Sequence, residues 1–148
     1  MPIKVVAENR KAYHDYFILE KYEAGLALLG TEIKSIRNGK VQLKDSYISF
    51  VSHEAYVKGM HIALYKEGNR FNHDETRDRK LLLHRQEIIK LENKVKLNGL
   101  TIIPLRLYLT NGKAKLEIAL AKGKNLYDKR QDSKIKAMEK EAKSLMRF

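Results

Sequence analysis

The chain has 148 residues, with 30 Lys and Arg against 18 Asp and Glu, so its formal net charge is +12, and it contains no Cys and no Trp. The length and the 43% hydrophobic content suit one folded domain, and the lack of cysteine excludes disulfide-stapled and zinc-finger architectures. The longest stretch without a charged residue, Leu97 to Leu105, spans nine positions, against the roughly 20 that a membrane-spanning helix needs.

The amino terminus, MPIKVVAENRK, has no apolar segment long enough for a secretory signal, so we expect a cytoplasmic protein. A net charge of +12 favours polyanionic partners, which in a cytoplasm are mostly nucleic acids. An acidic membrane surface is the weaker alternative, and no membrane partner is predicted.

The first predicted helix runs from Glu23 to Arg37. Its apolar residues recur at steps of three, four and three, at Leu26, Leu29, Ile33 and Ile36. Glu23 would lie in the first turn, where a carboxylate complements the helix dipole, and Asn38-Gly39 would cap the end.

Aromatic and β-branched residues predict strands at Tyr13–Leu19, Ser46–Val51 and Ala55–Leu64. Tyr65–Arg79 has almost no apolar periodicity and is predicted to be a long mobile loop. The run Lys80–Leu83 is short and apolar enough to be buried.

His84 and Glu87 form a weak capping box before a second predicted helix, which ends at Asn98-Gly99. Beyond it, apolar and polar residues alternate on both sides of Asn111-Gly112, which predicts a β-hairpin with a tight turn.

These elements predict a mainly β protein with two or three packed helices and a small antiparallel sheet that must close or be covered. A small barrel capped by helices is the prediction, and the oligonucleotide-binding type is one such closure. Pro104 would lie at a sheet edge or a bulge. Residues 1–128 would form this domain. Residues 129–148 hold seven Lys and Arg against three Asp and Glu. Ile135, Met138, Ala142 and Leu145 lie on one helical face there, so we expect a basic tail that is disordered alone and helical on a partner.

The sequence offers little for catalysis. It has no phosphate-binding loop, and only His73-Asp74-Glu75 clusters metal-ligand types. Neighbouring residues in an extended loop point in different directions, so no metal, cofactor or catalytic residue is predicted. A metal-dependent nuclease that uses these three residues remains the rival from another class.

Basic residues fall beside the predicted surfaces rather than in one block. They are Lys34, Arg37, Lys40, Arg77, Arg79, Lys80, Arg85, Lys113, Lys115, Lys122 and Lys124. As a set they favour phosphate binding, although each alone fits a solvated surface. Tyr127 could stack on a base, since no core is available near the tail.

The chain resembles the small protein B family, the SsrA-binding proteins of bacterial trans-translation. The resemblance rests on NRKAYHDYFILEKYEAGLALLGTEIKSIRNGK, DSYISF, TRDRKLLLHRQEI and LTIIPLRLYLTNGKAKLEIALAKGKNLYDKR, and on the Leu-Met pair of the tail. It implies an RNA-binding adaptor without bond chemistry of its own. Such a protein binds the tRNA-like domain of transfer-messenger RNA and delivers the alanyl form, indirectly with elongation factor Tu, to stalled ribosomes.

The resemblance also assigns residues. Glu23, Leu82 and Lys115 would contact or shape the RNA surface, with His84 where many relatives carry Asn. Toward the carboxyl end, the implied ribosome contacts are Tyr127, Asp128, Lys129 and Arg130 at the decoding centre, and Leu145 and Met146 in the empty messenger channel. Tyr127 stands where many relatives have His. The rival within RNA binding is a ribosomal or general single-strand protein on a similar barrel.

Overall fold

The computed structural model describes residues 3–124, without the side chains of residues 69–71. This part of the chain contains nine strands, three α-helices and one 3-10 segment. The strands are β1 (Lys4–Glu8), β2 (Tyr16–Leu26), β3 (Val41–Gln42), β4 (Tyr47–Val51), β5 (Glu54–Lys58), β6 (His61–Ile62), β7 (Arg79–Leu82), β8 (Thr101–Thr110) and β9 (Lys113–Gly123). The helices are α1 (Arg10–Asp15), α2 (Gly30–Arg37) and α3 (Arg85–Asn98), and the 3-10 segment is Lys66–Phe71.

Seven strands form one antiparallel sheet in the order β1-β8-β9-β2-β7-β5-β4, and β3 pairs with β6 in a separate ladder. The sheet curls until Cα atoms of β4 lie within 8 Å of β8. No ladder joins β4 to β8 within residues 3–124. The predicted mainly β fold is confirmed, and its barrel is not strictly closed by hydrogen bonds.

The main core fills the inside of this curled sheet. Ile36 of α2 and Leu91 of α3 are fully buried against it together with strand residues such as Leu107 and Ile118. A second, smaller core lies where Ala12 of α1 packs near β8 and β9, and it comprises Ala12, Ile103, Leu105, Ala119 and Ala121. The short helix α1 therefore covers part of the sheet, which leaves the rest of that face open.

The prediction of a helix from Glu23 to Arg37 is wrong in its first half. The helix begins at Gly30, and β2 continues through Glu23 to Leu26. Ala24 and Leu26 are buried while Glu23 is exposed, which is the alternation of a strand with one buried face. Glu23 therefore does not complement a helix dipole.

Three other boundaries differ from the sequence prediction. The expected strand Tyr13–Leu19 begins only at Tyr16, because Arg10–Asp15 forms α1. The expected strand Ala55–Leu64 is split at Gly59, whose φ of +79° breaks the extended backbone. The expected loop Tyr65–Arg79 includes a 3-10 segment, and Arg79 is already part of β7.

Candidate nucleic-acid interface

The part of the sheet that α1 does not cover presents mostly polar side chains to the outside. Strand alternation and register bring residues from four neighbouring strands to this face. We call it the polar sheet face: Arg106 and Tyr108 of β8, Lys115 and Glu117 of β9, Glu23 and Gly25 of β2, and Lys80 and Leu82 of β7.

The strand register explains why residues distant in sequence become neighbours here. Lys115 lies opposite Tyr108 on one side and opposite Gly25 on the other. Gly25 in turn lies opposite Leu82. A Cβ atom at Gly25 would stand 3.2 Å from Cβ of Leu82, so the missing side chain lets β2 and β7 approach closely. The predicted site residues Lys115 and Leu82 are thus joined in one row.

Glu23 lies in the next row and is exposed. It stands directly opposite Glu117 on β9. Two like charges in this position are unfavourable unless other groups compensate them. Arg106 does so for Glu117, with 3.5 Å between Nε and Oε1. The hydroxyl of Tyr108 donates a hydrogen bond to Oε2 of Glu23.

Tyr108 is only 3% exposed although it belongs to the polar sheet face. The guanidinium carbon of Arg106 lies 5.1 Å from the centre of its ring, a cation–π contact. Burial, together with the hydrogen bond to Glu23, raises the pKa of Tyr108 to about 12. The hydroxyl therefore stays protonated at neutral pH and remains a donor to Glu23.

The β7 end of the polar sheet face combines charge with an exposed apolar side chain. Lys80 Nζ lies 3.0 Å from Oε1 of Glu54, and Leu82 is 55% exposed. His84 follows as the exposed N-cap residue of α3, and its backbone N–H donates to Glu87 Oε1 at 3.1 Å. The predicted capping contact of Glu87 is confirmed.

An open cavity of about 420 Å³ adjoins the polar sheet face at Arg106 and Glu117. Arg10, Tyr13 and Lys21 also line it, and Lys21 Nζ lies 5.5 Å from the centre of the Tyr13 ring. This margin of the face thus offers an aromatic ring beside several cations.

The other predicted basic residues lie in separate groups. Lys34, Arg37 and Lys40 are exposed at the end of α2 and just beyond it, and Lys34 Nζ lies 5.2 Å from the centre of the Tyr65 ring. Lys113 is exposed beside the β8-β9 turn. At the end of β9, Lys122 and Lys124 are half-buried, and Lys124 Nζ stands 4.8 Å from the centre of the Phe17 ring.

One residue of the predicted RNA-binding set requires correction. Arg79 is fully buried, so it is not available on the surface for a phosphate. Its Nε donates to Oε2 of Glu32 at 2.6 Å, and its terminal nitrogens donate to backbone carbonyls of Met60, Asp74 and Glu75. Arg79 ties β7 to α2 and to the loop before β7.

Glu32, the centre of this network, was not singled out from the sequence. It is fully buried and accepts hydrogen bonds from Arg79, from Arg77 at 2.6 Å and from the backbone N–H of Leu29 at 2.8 Å. This pairing could not be predicted from the sequence, because Glu32 and the two arginines are more than 40 positions apart and no local pattern links them.

The three candidate metal ligands each have another role. His73 is buried, with Nδ1 2.9 Å from the Thr31 hydroxyl and Nε2 2.9 Å from the carbonyl of Ile62. Glu75 pairs with His61, and Asp74 accepts from the backbone N–H of Thr76. Over residues 3–124 there is no group of three His, Asp or Glu side chains that could hold a metal ion. None of the helices described there is long and apolar enough to cross a membrane.

The predicted ribosome contacts lie outside the described residues. They are Tyr127, Asp128, Lys129, Arg130, Leu145 and Met146, together with the whole of the predicted tail, residues 129–148.

Comparison with known proteins gives a consistent result over nearly the whole chain. SsrA-binding proteins are 56% identical over 144 residues in Geobacillus kaustophilus, covering 97% of this chain and 93% of the relative. The SsrA-binding protein of Desulfitobacterium hafniense is 60% identical over 130 residues, covering 88% of this chain and 83% of the relative. The SsrA-binding protein of Sulfurihydrogenibium sp. is 58% identical over 141 residues, covering 95% of this chain and 93% of the relative.

A solved chain described as "tmRNA-SmpB: a journey to the center of the bacterial ribosome" superposes with a TM-score of 0.69 at 47% identity, covering 93% of this chain and 95% of that chain. The family model for SmpB protein matches residues 6–148. On this evidence the chain belongs to the SmpB protein family.

Proposed function

We propose that this chain is an RNA-binding adaptor of trans-translation, which binds transfer-messenger RNA and delivers it to stalled ribosomes. The observation that carries the proposal is the likeness to SmpB in its ribosome complex, at 47% identity over 93% of this chain. The naming of its relatives as SsrA-binding proteins agrees with it. The adaptor acts in the cytoplasm and catalyses no bond formation or cleavage itself.

The polar sheet face is the proposed surface for the tRNA-like domain. Lys80 and Lys115 supply cations for phosphates, and exposed Leu82 supplies an apolar contact for a base or sugar. Glu23 is unusual on such a surface because a carboxylate repels phosphate. It can instead accept a hydrogen bond from a base amino group or from a 2′-hydroxyl, which gives orientation and selectivity.

The other predicted RNA-binding residues that are exposed or half-buried extend this binding to neighbouring phosphates. They are Lys34, Arg37 and Lys40 near α2, and Lys113, Lys122 and Lys124 at the two ends of β9, with His84 beside Leu82. Their spread over several elements suits a folded RNA that is recognised by its shape rather than an extended single strand.

The carboxyl-terminal residues are proposed to act on the ribosome. Tyr127 and the following Asp128-Lys129-Arg130 would reach the decoding centre, and Leu145 and Met146 would help a helical tail to occupy the empty messenger channel. Elongation factor Tu enters indirectly, as the carrier of the alanyl form of the RNA.

Competition binding tests the RNA side of this proposal. The isolated tRNA-like domain of transfer-messenger RNA and an ordinary tRNA compete for the full chain at about 0.15 M salt, where non-specific phosphate binding is weakened. We expect a preference of at least about tenfold for the tRNA-like domain, which corresponds to about 1.4 kcal/mol. Equal affinity would instead identify a general RNA-binding protein.

A pair of charge-matched variants locates the surface. Lys115→Ala removes a cation from the polar sheet face, whereas Lys96→Ala removes an exposed cation from α3 that pairs with Glu92. We expect the first to weaken binding of the tRNA-like domain clearly and the second to leave it nearly unchanged. Equal losses would mean that net charge, not this face, determines affinity.

A further inference from the structure

Tyr108 spans the polar sheet face in a way that its strand position alone does not require. It belongs to β8, its neighbour across the ladder is Lys115 of β9, and yet its hydroxyl reaches Glu23 on β2, one strand further on. Neighbouring strands lie about 4.8 Å apart, so the side chain crosses the full width of β9. Arg106 lies over the ring and holds it in this direction.

The two partners differ sharply in exposure. Tyr108 is 3% exposed, so it cannot stack on a base or contact a phosphate itself. Glu23 is exposed, and its carboxylate would otherwise sample many rotamers in water. The Tyr108 hydroxyl donates to Oε2 of Glu23, and over residues 3–124 no protein group forms a hydrogen bond with Oε1.

We propose that Tyr108 is a positioning residue for RNA recognition: its buried hydroxyl fixes the Glu23 carboxylate in one orientation so that the second oxygen accepts a hydrogen bond from a donor group on the RNA. The inference rests on the proposed function, in which Glu23 faces the tRNA-like domain. A flexible side chain loses rotamer entropy when it is ordered at an interface. If the side chain is already ordered before binding, this cost is not part of the binding step, so a carboxylate held in one orientation binds more tightly and selectively than a free one.

The variant Tyr108→Phe tests the hydroxyl while it keeps the ring under Arg106. We expect it to weaken binding of the tRNA-like domain about threefold to tenfold, the cost of ordering one side chain at an interface. Its salt dependence should be unchanged because no phosphate contact is lost. Ordinary tRNA, which is bound through phosphates, should be affected less.

Tyr22→Phe is the matched control. Tyr22 lies on the other face of β2, packs on the main core, and also donates its hydroxyl to a carboxylate, that of Glu20. The control loses the same kind of hydrogen bond, and we expect unchanged RNA affinity. If both variants weaken RNA binding equally, the effect is a general loss of stability and the positioning role is overturned.

A double-mutant cycle with Glu23→Ala identifies the route of the effect. Without the carboxylate, Tyr108→Phe should change affinity less than about twofold, because there is nothing left to position. The same loss in both backgrounds would show that Tyr108 acts independently of Glu23 and would overturn the inference. If the unsubstituted chain shows no preference for the tRNA-like domain, the proposed function fails first, and the role of Tyr108 in recognition fails with it.

Discussion

Arg79 places a full positive charge in the interior, out of contact with bulk solvent. A buried guanidinium is tolerated only when it is paired and its N–H groups are hydrogen-bonded. Glu32 supplies the charge, and the carbonyls of Met60, Asp74 and Glu75 accept the remaining hydrogen bonds. This network joins α2, β7 and the loop before β7. The same loop is also held by Arg77, which pairs with Glu32, and by the hydrogen bonds of His73 to Thr31 and Ile62.

Replacing Glu32 by Gln should destabilise the protein by about 3 kcal/mol, because it leaves Arg79 buried without a counter-charge. Denaturant unfolding of the two proteins at neutral pH measures the difference. The control is Glu8→Gln, which breaks an exposed pair with Arg10 and should cost less than about 0.5 kcal/mol. Equal effects of the two substitutions would contradict the structural role of the buried pair.

The difference in the free energy of unfolding between the original chain and the Glu32→Gln variant should decrease as the pH falls. Burial alone would raise the pKa of Glu32, but hydrogen bonds from Arg77, Leu29 and Arg79 outweigh it and hold this pKa below its ordinary value of 4.5. A carboxyl group whose pKa is lowered by folding stabilises the protein above its unfolded pKa and loses this effect as the pH falls. The difference in the free energy of unfolding between the original chain and the Glu32→Gln variant should therefore become smaller below pH 4.5.

Among the secondary-structure elements, the β8-β9 hairpin and α3 were predictable because local chemistry determines them. Asn111 and Gly112 both have positive φ, 51° and 74°, which is the geometry that Asn-Gly turns favour between twisted strands. Helix α3 ends before Gly99, which is left-handed as expected of a C-cap. Pro104 lies at a register shift in the β8-β9 ladder, as its missing N–H predicts.

The boundary between β2 and α2 was not predictable because the segment satisfies two periodicities at once. Leu26 belongs to both the helical and the strand pattern, and only the partners of β2 decide between them. Those partners, β7 and β9, are distant in sequence. The geometry of the candidate site was not predictable for the same reason. Glu23 and Lys115 were assigned from the resemblance, whereas the contact of Tyr108 with Glu23 depends on a strand register that no local pattern shows.

The variant Gly25→Ala distinguishes the helix predicted for this segment from the strand β2 that the structure shows. In a helix interior the change would stabilise the protein by about 1 kcal/mol. In β2 the new Cβ would lie 3.2 Å from Cβ of Leu82, closer than ordinary contact, so the displacement of Leu82 should offset most or all of the gain from replacing glycine. Gly30→Ala at the start of α2 is the control, because no atom lies within 4 Å and helix propensity should make it neutral or stabilising. A stabilisation at Gly25 of the full size expected for a helix interior, measured by thermal unfolding, would contradict the strand.

For the whole molecule, the sequence predicted the class of fold but not how the sheet ends. Each strand pair forms from local alternation, whereas closure depends on the sum of strand twists around the core. Strand β4 approaches β8 without forming a ladder with it, and this arrangement results from the accumulated twist of all the strands between them. The arrangement leaves the polar sheet face uncovered by α1. In the proposed function this face binds the RNA, and the ribosome contacts lie in the carboxyl-terminal residues, so the two tasks belong to different parts of the chain.

Removing residues 129–148 tests this division of functions. The truncated chain keeps every residue of the polar sheet face, so its affinity for the isolated tRNA-like domain should stay within about threefold of the full chain, the loss reflecting a net of four positive charges. Peptide tagging on stalled ribosomes in a reconstituted translation system should disappear. A full-length Leu145→Ser, Met146→Ser variant, which keeps the charge, should bind the RNA normally and tag poorly. A large loss of free-RNA affinity on truncation would show that the tail belongs to the RNA-binding surface instead.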